Sequence, residues 1–324
     1  MKKLTASLAA LVIAACGTQQ TDPAQQYRDA LPKAQAVAIG TPQDAGTTSG
    51  ALSVTQQPLG QTTSPQSEFA TMSYYLALSV NGGVAWVLAT VRYVTAFPPT
   101  SCDDASCTWG PWVDDQGLNR WKLTVTKNGT AFDWALSAQP GSNPAAAFVD
   151  LITGTAYPAD KDHGHGTLAV NFDAQTQLDH GPLWQQEDFG TLAVTYDNRT
   201  SATVDAVFLG AHDKDPADPH RMNAHYLFQA ASSGGQLEVA FQNLDTTAVV
   251  TLRTRWSPSG AGRADAHYTG PDGLGGTVSY YESECWAGKV DNFVEVYDLQ
   301  YAIGTESACS PFSTAEYTLD IQLP

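Results

Sequence analysis

Gly166-Thr167-Leu168-Ala169-Val170-Asn171-Phe172-Asp173 returns 24 residues later as Gly190-Thr191-Leu192-Ala193-Val194-Thr195-Tyr196-Asp197. In each copy large apolar side chains occupy every second position, the period of a strand with one buried face. Each copy opens on glycine and closes on aspartate, residues that favour turns. The offset matches about one hairpin with its turns, so the copies are predicted to be equivalent strands of one antiparallel meander. Two copies are too few for a solenoid.

The same texture extends in both directions. Asn128-Gly129 separates Trp121-Lys122-Leu123-Thr124-Val125 from Ala131-Phe132-Asp133-Trp134, a strong hairpin signal. Tyr226-Leu227-Phe228 and Leu237-Glu238-Val239-Ala240-Phe241 flank Gly234-Gly235. Val250, Leu252, Thr254 and Trp256 alternate with Thr251, Arg253 and Arg255, which places an apolar set on one face. Asp272-Gly273-Leu274-Gly275-Gly276 marks a turn, and Tyr317, Leu319, Ile321 and Leu323 alternate near the end. On the order of ten or more strands follow, and a sheet that large curls into a half-barrel or barrel-like form. The predicted fold is mainly β with a few helices.

Before the sheet, Phe69, Met72, Leu76 and Val80 recur at helical spacing, and Val84, Val87, Leu88, Val91 and Val94 do so again until Pro98-Pro99. Ser64 is the expected N-cap, Pro65 the first helical residue and Glu68 a first-turn acid. Asn81-Gly82-Gly83 divides the run, so two apolar helices are expected over 64–97, with a β-hairpin turning at Asn81–Gly83 as the rival. The sheet is expected over 112–324, and 64–324 as a single domain. Residues 16–63 are rich in Gln, Thr, Pro, Gly and Ala, too poor in large apolar side chains to offset the entropy of ordering. They are expected to form a flexible tether.

Residues 1–15 have the shape of a secretory leader: Lys2 and Lys3, then an apolar run too short to cross a bilayer. Leu11-Val12-Ile13-Ala14-Ala15-Cys16-Gly17 resembles the lipobox of bacterial lipoproteins. That resemblance implies cleavage before Cys16, a diacylglycerol joined to its thiol through a thioether so that the residue carries at least two acyl chains, and a stable membrane anchor. Gly17 in place of Asp implies the outer membrane of the cell envelope rather than the inner one.

The chain has 16 basic and 33 acidic residues, a net charge of −17 that becomes −19 once Lys2 and Lys3 leave with the leader. Such a surface repels phosphate backbones and excludes nucleic acid as a partner. Cys102, Cys107, Cys285 and Cys309 remain after Cys16. An even count in an exported chain points to disulfides, with Cys102–Cys107 and Cys285–Cys309 favoured because sequence-near partners need the least topology. No C-x-x-C pair suggests a metal site.

Chemistry is sparse. Asp162-His163-Gly164-His165-Gly166 places two imidazoles at i, i+2, and Asp162, Asp160 or His180 would complete a metal site. A surface loop leading into a strand explains the same residues. Asp213-Lys214-Asp215-Pro216-Ala217-Asp218-Pro219-His220 fails as an EF-hand, since Asp218 stands where glycine is required. No G-x-S-x-G, S-x-x-K or P-loop is present, so no catalytic residue is assigned and no cofactor is expected. Of the eight tryptophans, Trp109, Trp112, Trp121 and Trp134 cluster, and filling the β-core explains them better than stacking on sugars.

Trp109-Gly110-Pro111-Trp112, the Gly-Thr-Leu-Ala-Val repeats, Trp256-Ser257-Pro258-Ser259-Gly260 and Ser283-Glu284-Cys285-Trp286 together resemble a group of lipoproteins of the myxobacterial kind. No activity is attached to that group, so no site residue comes with the resemblance. The architecture alone, helices before a large curled sheet, is similar to periplasmic lipoprotein and lipid carriers. That likeness implies an apolar or amphipathic ligand, with the helices as a lid. The expected function is therefore a non-enzymatic, membrane-anchored lipoprotein that binds such a ligand. The alternatives are a surface-interaction protein with a filled core and a metal-dependent hydrolase using the His163/His165 loop.

Overall fold

The computed structural model describes residues 22–42, 66–159, 163–181, 189–212, 221–231, 234–288, 293–312 and 321–323. Fifteen antiparallel strands follow one another in strict sequence order, so each described strand pairs with its chain neighbours. They are β1 (Ser101–Cys102), β2 (Ser106–Val113), β3 (Asn119–Asn128), β4 (Ala131–Pro140) and β5 (Val149–Pro158), then β6 (Gly164–Asn171), β7 (Phe189–Asp197), β8 (Thr203–His212), β9 (Met222–Ala231) and β10 (Gly234–Asn243). The last five are β11 (Val249–Trp256), β12 (Gly262–Pro271), β13 (Thr277–Ala287), β14 (Val294–Asp298) and β15 (Ile303–Gly304). The sheet is open: β1 and β15 are its edges and do not pair with each other. It also begins earlier than residue 112, at Ser101.

Alternation decides which side faces in. Leu168 and Val170 on β6 oppose Val194 and Leu192 on β7, and all four are buried. The two repeat copies are thus direct neighbours running in opposite directions. Their 24-residue offset is one strand plus a long connection, rather than the hairpin expected from its length. The turn at Asn128-Gly129 is as expected, with Gly129 at φ 64° where an L side chain is strained. Cys102–Cys107 and Cys285–Cys309 are both bonded. The expected strand at 317–323 falls largely outside the described residues, and 321–323 are not strand.

The expected helix pair is one continuous helix, α3 (Glu68–Thr95), 28 residues long. Its N-cap is Ser67, whose hydroxyl accepts from the Ala70 amide at 3.0 Å; Ser64 and Pro65 lie outside the described residues. Helix continues through Asn81-Gly82-Gly83 because tertiary contacts outweigh propensity. Two glycines cost about 2 kcal/mol relative to alanine. Val80, Val84, Val87, Leu88 and Val91 bury on the same face, each contributing roughly 1.5–3 kcal/mol. Asn81 is itself buried: its amide nitrogen donates to the Ile39 carbonyl at 2.7 Å, and its oxygen accepts from the Ile39 amide at 2.6 Å.

That Asn81 clasp corrects the tether expectation for residues 22–42; the rest of the expected tether, 16–21 and 43–63, lies outside the described residues. Residues 22–42 are folded, with short helices α1 (Gln25–Ala30) and α2 (Ala34–Val37). Ala24, Tyr27, Ala30, Leu31, Val37 and Ile39 all enter the core. Few large apolar residues suffice here because Tyr27, Leu31, Val37 and Ile39 are all buried. Tyr27 packs edge-on against Phe132 at 5.9 Å and donates its hydroxyl to the Asp103 carbonyl at 2.8 Å. Arg28 pairs with Asp22 and donates to the carbonyls of Thr95 and Phe97, satisfying the end of α3. Gly40 passes so close to Phe228 that a Cβ there would lie 2.8 Å from the ring. Truncating Tyr27 to Ala should therefore lower the unfolding free energy by about 3–5 kcal/mol. Urea melts of wild type and variant read this directly, and a loss well below 1 kcal/mol would show that the segment does not belong to the core.

Candidate functional site

The concave face of the sheet is where a carrier would hold its ligand, and it is occupied by the chain itself. Leu123, Trp134, Leu168, Val194, Phe228 and Trp256 from the sheet form one cluster with Tyr27, Val37, Ile39, Val84, Leu88 and Val91. Trp109, Trp134, Trp256 and Trp286 are buried and Trp112 and Trp121 partly so, as a core role requires. Between residues 29–36 and the β5–β6 end lies a cleft of about 30 Å³, room for one water. A larger hollow of about 370 Å³ is a shallow trough lined by Thr124, Thr126, Asp133, Thr153, Thr155 and Thr167. These side chains alternate with the buried Val125, Trp134 and Leu168, so the trough lies on the outer face.

The histidine set is not assembled. His163 is exposed at the start of β6, and His165 stacks on Tyr157 at 4.6 Å across the β5–β6 pair. His180 follows Asp179, whose amide and carboxylate bond Asn119 and Ser142 at the opposite rim. The length of β6, about 25 Å, separates that rim from His165. Asp162 and Asp160 lie outside the described residues, as does the Asp213–His220 segment. The expected site is thereby reduced, among the described residues, to two histidines without a third ligand.

Composition and motif spacing did not reveal the cluster that the fold does build. Glu284 on β13 and Glu295 and Asp298 on β14 are all buried, with one carboxylate oxygen of each within 4.8 Å of the others. Glu284↔Asp298 and Trp286↔Glu295 are cross-strand partners, and a bulge between Cys285 and Trp286 turns Glu295 toward them. The signal for Glu284 was present in the sequence: alternation through Ser283-Glu284-Cys285-Trp286 sets an acid on the same side as a buried tryptophan.

The acids meet the start of α3. Oε2 of Glu284 accepts from the Ser67 hydroxyl at 2.6 Å and from the Phe69 amide at 3.0 Å. Ser67 donates its own amide to the Phe293 carbonyl at 2.9 Å, and Gln66 bridges to Val294. Glu284 is therefore a carboxylate cap placed at the positive end of a long helix dipole. Burial still raises its pKa, the bonds from Ser67 and Phe69 oppose this, and the charges of Asp298 and Glu68 add to it. Burial likewise pushes Glu295 up to about 7, helped by its hydrogen bond with Asp298 and the charge of Glu284. No other described group of three potential ligand side chains is this compact.

On the outer face, β10–β12 carry a second buried charge network. Arg253 pairs with Glu238 at 2.9 Å, and Asp265 receives Arg255 at 3.1 Å and Arg263 at 2.9 Å. Arg263 also reaches Glu306 at 3.0 Å, on the turn that Cys285–Cys309 holds against the sheet. Every charge is matched, which is the arrangement of a structural clamp. Comparison with family models, curated proteins and solved structures finds no match for this chain.

The acid cluster carries a pH signature. A carboxyl whose pKa rises on folding binds its proton more tightly in the native state, so stability is lost as pH climbs from the unfolded value near 4.5 toward 7. Glu295→Gln should remove up to one proton from the linkage and flatten the fall in melting temperature across that window. Parallel melts at steps between those limits test it, and identical slopes for both proteins would refute the proton assignment.

Proposed function

We propose that this chain is a membrane-anchored envelope lipoprotein that works through its surface as a rigid, filled body. The observation that carries this reading is the occupation of the concave face by residues 22–42 and α3. A carrier holding acyl chains inside the sheet would first have to expel Tyr27, Val37 and Ile39, each at a cost of a few kcal/mol. A hydrolase built on His163 and His165 lacks a described third ligand, and no catalytic residue is assigned. The lipobox around Cys16 supports acylation and an outer-membrane position, and two disulfides suit an oxidising compartment. The acidic balance supports a partner other than nucleic acid.

Two measurements separate the parts of this proposal. Mass spectrometry of the cell-made protein should find residues 1–15 removed and Cys16 carrying acyl chains; an intact leader with a free thiol would remove the anchor. Titration of the delipidated protein with a fluorescent fatty acid should show no saturable binding. Stoichiometric, saturable uptake would instead restore the carrier reading.

A further inference from the structure

The outward face of α3 is unlike the rest of this acidic molecule. Between Glu68 and Arg92 the helix carries no charged residue on any side. Met72, Tyr75, Trp86 and Tyr93 project outward, with Trp86 65% and Tyr93 69% exposed, and Phe97 continues the stripe. At 100° per residue these positions, together with Ser79, Gly82 and Thr90, share one face. The helix is long and apolar enough to cross a bilayer, yet its opposite face is committed to the sheet.

Gly82 and Gly83 occupy the middle of this face. A Cβ at either would meet nothing within 4 Å, so packing inside the molecule does not call for glycine there. Each still costs the helix about 1 kcal/mol against alanine. Close approach of another backbone is the physical use that a flat, small-residue centre serves, and a fluid lipid surface gains nothing from it.

We propose that this face is a self-association surface, on which a second copy of the chain lays its own α3 antiparallel, the helices crossing at Gly82-Gly83. The stripe is self-complementary in that arrangement. With the two-fold axis between Gly82 and Gly83, Trp86 of one copy covers Ser79 of the other. Tyr75 covers Thr90, and Met72 meets Tyr93, large against small and thioether against ring. The charges agree as well. An antiparallel pair sets the Glu68 end of one helix beside the Arg92 end of the other and opposes the two dipoles, whereas a parallel pair would set Glu68 against Glu68. A strip about 40 Å long and about 10 Å wide offers roughly 800 Å² for the pair, below the about 1,200 Å² at which stable specific interfaces begin. The association is therefore weak and reversible. It does not require the anchor, but confinement of anchored copies to one membrane raises their effective concentration and populates it.

Sedimentation velocity of the full chain carrying Cys16→Ala, so that no acyl group drives association, tests this over about 1–100 µM. A monomer–dimer equilibrium is expected. Gly82→Leu should weaken it at least tenfold while leaving the melting temperature of the monomer unchanged or higher, because the new side chain enters open space and improves helix propensity. Trp86→Glu is the second variant, and loss of the dimer in either one with folding retained supports the proposal. A chain that stays monomeric throughout overturns it, as does a dimer unchanged by both substitutions. A monomer that floats with neutral phosphatidylcholine vesicles also overturns it, and would make lipid the occupant of this face.

Discussion

A sheet of fifteen strands that does not close has one apolar face running its whole width, and that face must be covered by something. This chain covers it with itself. The long helix α3 and the short segment 22–42 lie on the concave side, and the buried Asn81 ties the one to the other through both backbone groups of Ile39. The clasp leaves no unpaired polar group at a position where either orphan would cost about 1–3 kcal/mol. Everything else follows from that covering: the filled interior, the acid cap at the head of α3, and the uncharged helix face left over on the outside.

How much of this was legible depended on whether the signal was local. Period-two alternation announced the strands, because a residue such as Leu168 or Val194 needs only its neighbours along the chain to declare which face it takes. Asn128-Gly129 announced its turn for the same reason. The disulfide pairs also came from chain proximity. Asn81-Gly82-Gly83 misled because its effect is decided by distant partners: Ile39 forty-two residues away, and the sheet beneath the valines. Residues 22–42 misled in the same manner. Composition counts apolar residues but not their direction, and Tyr27, Val37 and Ile39 all point inward.

The candidate site was the least legible part. Two histidines in a glycine loop look like chemistry on paper, but strand direction sends His180 to the far rim, away from His165. The acids that do gather come from separate strands and meet only through the β13–β14 register and its bulge. Nothing in their spacing along the chain reports this, although an acid beside Trp286 on an inward position hinted that a buried charge would need partners. The charge network of Arg253, Arg255, Arg263 and Asp265 was likewise visible only as alternating polar positions. The C-terminal turn held by Cys285–Cys309 adds Glu306 to it through Arg263. Both ends of the sheet are blunt, two-residue strands, which limits edge-to-edge growth and leaves the α3 face as the more inviting surface.

Residues 22–42 are part of the fold rather than a leash. Hydrogen exchange of the intact chain, followed at the Ile39 amide and across α1, tests this most directly, because that amide is bonded to a buried side chain. Protection at Ile39 comparable to that of the β6–β7 core amides is expected. Exchange at the rate of an unstructured peptide over 22–42, with the strands still protected, would contradict it.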